Sequence, residues 1–574
     1  MTATRSPRAE SRGHQQALLG LCALLASCTC VRVPDLLYAC EADGGCDVPG
    51  FRCDVAMQLC VQAVDAGCTR TTCEAANARC GSLSDGCGGT LSCGSCAPGE
   101  ACGAGALPNH CSPCDAGSPD LPDDEFRDTN CDGLDGDARD AVFVDPTNGD
   151  DTSPGTRAAP VRSIGRALME RKAQVLLVSG TYTEDVDLGP TASLYGGYST
   201  LVDGGWVRGT KLATINGTVA ARNRTTPLDL DSLEVKSPTP ATPGAPSVAL
   251  TLVDVVQSRV SHCTLSAALG ADGMDGAPAP GPADAGESGA PGGCELATFV
   301  NGGLGGRACE GGTASDLLSA GGTGGRGGDP SGSTRLEQSG APGLPAPFGG
   351  DGGVPCTTMG CSEQRGANGQ PGIMGAAGDA GSPGDELGGI SSAGAWTASR
   401  GTKGQPGRPG RGGGGGGGGA AWPDGSASYG CSGGGGGAGG CGGEGGEGAL
   451  GGGASIAMLL HNASPQLHDV TLITAGGGAG GRGGAPASGG EGGAGAKDPL
   501  VPGVVGGLGG QGGEGGRGGT GGVGGAAGGG PSVGVWCSGS ATITPDAGTV
   551  TLGAGGQGGP GAPDGAVRAR VDCP

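Results

Sequence analysis

The sequence predicts a mostly β chain: a parallel β-helix, or solenoid, interrupted by long glycine-rich insertions and preceded by a small disulfide-rich stalk. Three observations predict it. A strand pattern recurs three times at unequal intervals, 136 of the 574 residues are glycine, and 26 are cysteine.

The repeat comes first. Ser247-Val248-Ala249-Leu250-Thr251-Leu252 returns as Ser455-Ile456-Ala457-Met458-Leu459-Leu460 and as Ser532-Val533-Gly534-Val535-Trp536-Cys537. Val248/Leu250/Leu252, Ile456/Met458/Leu460 and Val533/Val535/Cys537 alternate as inward positions of a strand do. A second strand follows each copy, at Cys263-Thr264-Leu265, Val470-Thr471-Leu472 and Val550-Thr551-Leu552. The corners align Asp254 with Asn462 and His262 with Asp469. Similar coils separated by very unequal insertions are most simply stacked turns of a solenoid whose insertions leave from one corner. On this reading joining Gly270 to Ser455 is neutral or mildly stabilising, because loop-closure cost rises slowly with length.

The glycine runs have two periods. Gly366, Gly369, Gly372, Gly375, Gly378, Gly381 and Gly384 stand at every third residue, as in collagen. Elsewhere the unit is Gly-Gly-X, as over 506–517. Seven triplets are too few for a triple helix without partner chains. Gly-Gly-X suits polyglycine-II-like threads joined by weak Cα–H···O contacts, and it resembles the repeats of PE-PGRS-type proteins. Ordered or partly ordered insertions stand against a flexible tether. Order is favoured because Cys294/Cys309, Cys356/Cys361 and Cys431/Cys441 are placed to staple the runs.

The N-terminus fixes an address. Arg5, Arg8 and Arg12 precede a short apolar run, followed by Leu25-Ala26-Ser27-Cys28. The run is too short to span a bilayer and has the length of an export signal. The tetrapeptide resembles a bacterial lipobox, which implies cleavage before Cys28, acylation of Cys28 and an outer-membrane lipid anchor. Setting Cys22 and Cys28 aside leaves 24 cysteines, an even number at a density that points to disulfides in an oxidising compartment. Cys93-x2-Cys96 and Cys111-x2-Cys114 approach zinc-ribbon spacing, but Cys102 interrupts the set. The Cys-Gly-Gly-Thr-Leu-Ser-Cys phrase at 87–93 resembles modules that follow lipoboxes in surface proteins of gliding soil bacteria. A net charge of −23 argues against nucleic acid as a partner.

The domain reading is a lipoprotein signal over 1–27, a Cys-rich stalk over 28–114 and an acidic linker over 115–140. N-terminal coils with a capping helix follow over 141–270, then a glycine-rich insertion over 271–453 and a coil over 454–475. A second insertion covers 476–530, and a last coil with its tail 531–574. In the linker Asp128, Asn130, Asp132, Asp135 and Asp137 place oxygen side chains around a turn glycine, as a hard cation such as Ca2+ requires. An EF-hand would carry Glu where Arg139 stands. The stretch more closely resembles the short Asp-rich metal-binding motif of bacterial surface proteins, and a solvated acidic turn competes with that reading. Residues 160–171 read as a helix with Ile164 and Leu168 on one face. Residues 141–197, with their Gly-Thr-Tyr-Thr-Glu and Leu-Tyr-Gly-Gly-Tyr phrases, resemble the opening of right-handed β-helix proteins of the pectate-lyase-like class.

That resemblance implies an alternative function, a polysaccharide lyase or glycoside hydrolase with carboxylates on neighbouring coils. Asp185, Asp187, Asp229, Asp231 and Glu234 are the acidic candidates, but the aligned coils show no acidic ladder. Trp206, Trp396 and Trp422 are the candidate sugar platforms. Gly430-Cys431-Ser432-Gly433-Gly434 fits a nucleophile-elbow pattern by composition alone. His110, His262, His461 and His468 read as too scattered for a metal set. The sequence therefore points to a non-catalytic, lipid-anchored surface protein, structural or adhesive, with extracellular polysaccharide or matrix as its partner.

Overall fold

The computed structural model describes residues 38–39, 51–54, 59–62, 70–85, 90–102, 109–115, 117–201, 204–294, 301–308, 319–328, 341, 365–421, 429–497, 507–544 and 548–574. The signal, Cys28, Cys309, Cys356, Cys361 and Trp422 lie outside them. The chain forms two compact units, Met1–Pro113 and Cys114–Pro574. In the first, short hairpins at Ser82–Ser84 with Thr90–Ser92 and Glu100–Cys102 with Cys111–Pro113 are held by disulfides Cys73–Cys93, Cys80–Cys102 and Cys96–Cys111. Cys114 pairs with Cys131. The CxxC pairs are thus divided among different disulfides.

The second unit is mostly β, built on three sheets of parallel strands. The first sheet contains Ala141–Val144, Gln174–Val178, Ser193–Thr200, Leu228–Asp231, Ser258–Ser261 and Gln466–His468, with Trp206–Arg208 antiparallel beside Ser193–Thr200. The second sheet runs from Thr181–Tyr182 through Ala213–Asn216, Leu233–Ser237, Thr264–Ala267 and Thr471–Thr474 to Val550–Thr551. The third sheet runs from Val186–Leu188 through Val219–Arg224, Ser247–Val255, Ser455–His461 and Ser532–Ser538 to Val567–Val571. Successive circuits visit the sheets in the same order, except that among the described residues the last passes from Ser532–Ser538 to Val550–Thr551 without a strand in the first sheet. Both long insertions leave between the second sheet and the third, at one corner.

The repeat is realised in register. Ser247 pairs with Ser455 and Ser455 with Ser532; Leu250, Met458 and Val535 stack, as do Leu252, Leu460 and Cys537. These two rungs enter the interior core with Leu230, Leu233, Val260 and Leu265. Two details differ from the sequence reading. Val550 pairs with Leu472, two residues away from the expected match. Ile456 and Val533 face outward, into a second cluster with Trp396, Leu459 and Trp536, and Val248 packs against that cluster. The glycine-rich insertion covers this outer face, so excising 271–453 strips an apolar surface rather than a dispensable loop. The expected result is a lower melting temperature and aggregation of the shortened protein by light scattering, in place of the neutral outcome the repeat alone suggests.

The helix is shorter than its apolar pattern, Ile164–Leu168. Ser163 caps it, accepting from the Arg166 amide at 3.2 Å, and Glu184 takes the amides of Ile164 and Gly165 at 2.9 and 2.7 Å. Arg171, at φ 55°, turns the chain away. Ile164 and Ala167 still enter the interior core.

In the described residues the glycine runs are hydrogen-bonded threads. All seven collagen-spaced glycines donate amides to one parallel thread: Gly366 to Leu508, Gly369 to Gln511, Gly372 to Glu514, Gly375 to Arg517, Gly378 to Thr520, Gly381 to Val523 and Gly384 to Ala526. These are ordinary N–H···O bonds of 2.8–2.9 Å, stronger than the Cα–H···O contacts expected. With about three residues per turn, successive residues of such a thread point in three directions. Glycine content therefore follows depth. In the Gly-X-Y thread Ile373, Met374, Ala376 and Ala377 are exposed; in the Gly-Gly-X thread only Glu514, Arg517 and Thr520 of residues 513–520 are; and the five glycines 433–437 are buried. That inner thread donates in rotation to three neighbours: Gly434 to Gly510, Gly435 to Ala290, Gly436 to Gly322, then Gly437 to Gly513.

The staples differ from the expected local pairs. Cys294 is joined to Cys431, tying the start of the insertion to its innermost thread. Cys441 is also disulfide-bonded, but Cys431 is not its partner. Cys263 is free and buried, and burial pushes its thiol up to about 12. The even count of 24 therefore does not describe a fully paired set.

Candidate functional site

Residues 115–140 are not a solvated linker. Asp128, Asn130, Asp135 and Asp137 are buried, and Leu134 packs with Phe143, Tyr195, Tyr198 and Trp206 on the outer face of the first sheet. The acidic side chains are spent on the backbone and on arginines. Asp128 accepts from the amides of Asp132 and Gly133 at 3.1 and 2.8 Å, and Asn130 accepts from the Asp132 amide at 3.0 Å. Asp132 accepts from the Ala138 amide at 2.9 Å and faces Arg157 at 3.3 Å. Asp137 faces Arg139 at 3.0 Å, whose hydrogen bond holds its carboxyl below the ordinary value. Asp135 accepts from the Asp123 amide at 3.0 Å and turns its other oxygen to Arg208. The oxygens of these five residues thus accept from several different backbone and arginine donors.

Beneath this segment lies a buried charge centre. Arg208, its side chain 1% exposed, sits 3.0 Å from Asp135 and 3.3 Å from Asp231. Its guanidinium lies 5.7–6.0 Å from the ring centroids of Phe126, Tyr195 and Tyr198. Burial pushes the Asp135 carboxyl up to about 7, against the pull of Arg208. Asp231 faces outward from its strand and is buried because the covering segment lies over it.

A cleft of about 400 Å³ opens beside this centre, lined by Asp123, Asp124, Asp231, His262 and Asp469 with Arg208. Its floor is a corner stack. Ser232, His262 and Asp469 occupy equivalent corners of successive circuits, at φ 55°, 48° and 48°. That left-handed conformation is uncommon outside glycine, and it makes the turn from the first sheet into the second. The corner and strand pairings set His262 and His468 with ring centroids 5.3 Å apart. Asp124 reaches in from the covering segment, and its ligand atom lies within 4.8 Å of one on each histidine. Asp231 lies 3.2 Å from His262 Nδ1.

The sequence reading held these histidines to be too scattered, and the structure corrects it for His262 and His468. The signal was present: aligning Ser261-His262-Cys263-Thr264-Leu265 with His468-Asp469-Val470-Thr471-Leu472 sets the two histidines one position apart on neighbouring circuits. Asp124 lies outside the repeat and left no such signal. His461 stands elsewhere, 2.9 Å from Ser538 Oγ.

Several other candidates among the described residues are engaged in packing and pairing. Ser432 is fully buried and its Oγ accepts from the Gly293 amide at 2.8 Å, so it joins two threads and is no exposed nucleophile. Trp206 and Trp396 are 4% and 6% exposed and fill apolar clusters rather than offering sugar platforms. Asp229 pairs with Arg259 at 3.2 Å, Glu234 with Lys236 at 2.8 Å, and Asp185 accepts from the Thr218 amide at 2.8 Å. Among the described residues no helix is long and apolar enough to cross a membrane. Comparison with known protein families, curated proteins and solved structures finds no match.

Proposed function

We propose that this is a lipid-anchored protein of the bacterial outer surface, structural or adhesive rather than catalytic, in which a right-handed parallel β-helix carries a slab of polyglycine-II-like threads. The observation that supports the reading is the thread bundle. Its threads are joined by backbone N–H···O bonds, and its outer threads present side chains at a repeat of three. A rigid surface with so regular a spacing suits a repetitive partner, such as an extracellular polysaccharide or matrix polymer. The lipobox at Leu25-Ala26-Ser27-Cys28 and the disulfide-rich modules after it agree with an exported, tethered chain.

The test has two parts. Cys28→Ser is expected to move the protein from the detergent phase to soluble fractions, or to leave it unprocessed; mass spectrometry of the mature N-terminus reads this. A mature N-terminus other than an acylated Cys28 contradicts the anchor. The purified chain is expected to bind members of a glycan array and to cleave none of a polysaccharide panel. Chain-length reduction of any polysaccharide would replace this reading with the lyase or hydrolase alternative.

A further inference from the structure

We infer that Asp124, His262 and His468 form a binding site for a divalent transition metal of the zinc class, distinct from the Asp-rich turn. The donors are two imidazoles and one carboxylate, with one ligand atom from each mutually within 4.8 Å. Zinc takes such N and O ligands at about 2.0–2.2 Å in tetrahedral sites, which brings ligand atoms to about 3.3–3.5 Å from one another. A small inward movement of exposed Asp124 and His468 completes that geometry.

Two further observations point to a cation. Asp231 lines the same cleft, is 1% exposed, and its Oδ2 has no hydrogen-bond partner. Arg208 faces the carboxylate through Oδ1 at 3.3 Å and leaves Oδ2 without a donor, and a buried carboxylate oxygen left so is costly. Asp231 Oδ1 lies 3.2 Å from His262 Nδ1, and Asp124 Oδ1 lies 3.8 Å from the same nitrogen, so two carboxylates converge on this imidazole. Asp123, Asp124, Asp231 and Asp469 line the cleft against Arg208, so its field favours a cation. The imidazoles select against calcium and magnesium, which take oxygen ligands.

Such an ion has a structural consequence. Asp124 belongs to the covering segment, whereas His262 and His468 belong to successive circuits. A bound metal clamps the segment over the first sheet, and because it binds the folded chain it raises the melting temperature with concentration.

The experiment uses the whole mature protein, oxidised and free of affinity tags. ZnCl2 is titrated by calorimetry, CoCl2 by visible absorption, and CaCl2 serves as the comparison. The expected result is uptake of one zinc per chain, a Co2+ spectrum of low coordination number, and a melting temperature that rises with zinc. His468→Ala and Asp124→Asn, both at exposed positions, are expected to weaken zinc binding by about tenfold or more while leaving the metal-free melting temperature unchanged. His262→Ala is expected to abolish the Co2+ spectrum. Asp254→Asn, away from the cleft, keeps full uptake. Unchanged zinc affinity in the His262→Ala/His468→Ala double variant overturns the proposal. So does calcium uptake at this site with no zinc uptake.

Discussion

Replacing Gly436 with alanine is expected to destabilise the folded chain by about 3 kcal/mol, at the top of the range for overpacking a tight interior. Gly436 is buried in the innermost thread, and a Cβ there meets the Gly413 carbonyl oxygen at 2.1 Å and its carbon at 2.6 Å. Those atoms are backbone, so relief requires the threads to part. Parting also breaks the bond from the Gly436 amide to the Gly322 carbonyl, and neighbouring bonds with it. Urea unfolding measures the loss. The control is Ala380→Val on the outer Gly-X-Y thread, where the side chain is exposed; it is expected to change stability by no more than about 0.5 kcal/mol. Equal effects at the two sites would mean that depth in the bundle does not decide which positions must be glycine.

Arg208→Met is expected to cost about 3–5 kcal/mol, the usual penalty for removing one partner of a buried ion pair. It leaves Asp135 and Asp231 without their shared cation and also removes the donor to the Asp123 carbonyl at 3.0 Å. The covering segment then loses its hold on the first sheet, and limited proteolysis is expected to cut within 119–140. Adding Asp135→Asn to Arg208→Met is expected to recover part of the loss, because one uncompensated charge disappears. No recovery in the double variant would show that Arg208 acts through packing on Phe126, Tyr195 and Tyr198 instead of through charge.

The parts of the fold written as local period were legible in the sequence. The Ser247, Ser455 and Ser532 copies are in the register their alternation implies, and the insertions leave at one corner. The facing of the first rung was not legible. A strand covered on both sides reads as a continuous apolar run, and Ser455–His461 is such a run because Trp396 packs on its outer face. The order of the glycine runs was half legible: the triplet period was visible, whereas its meaning as depth needs the third dimension. In the Asp-rich turn the amide caps were not legible, because spacing shows which oxygens are near one another in sequence and says nothing of which amides they accept from. The histidine pair was missed because metal ligands on a stacked fold come from equivalent positions of different circuits, not from a motif along the chain. Arg208 carried no signal, since its partners Asp135 and Asp231 lie on separate elements.

The central claim is that glycine content records how many neighbouring threads each stretch serves, and native-state amide hydrogen exchange tests it most directly. The outer Gly-X-Y thread has one amide per triplet bonded to a backbone carbonyl, from Gly366 to Gly384; the 512–525 stretch has two, as at Gly512 and Gly513, Gly515 and Gly516; and 430–441 has all of them. The expected result is slow exchange at about one, two and three amides per triplet in those segments, since protection requires a hydrogen bond that opens rarely. Rapid exchange at every amide in all three segments would contradict the bundle and leave the glycine runs as tethers.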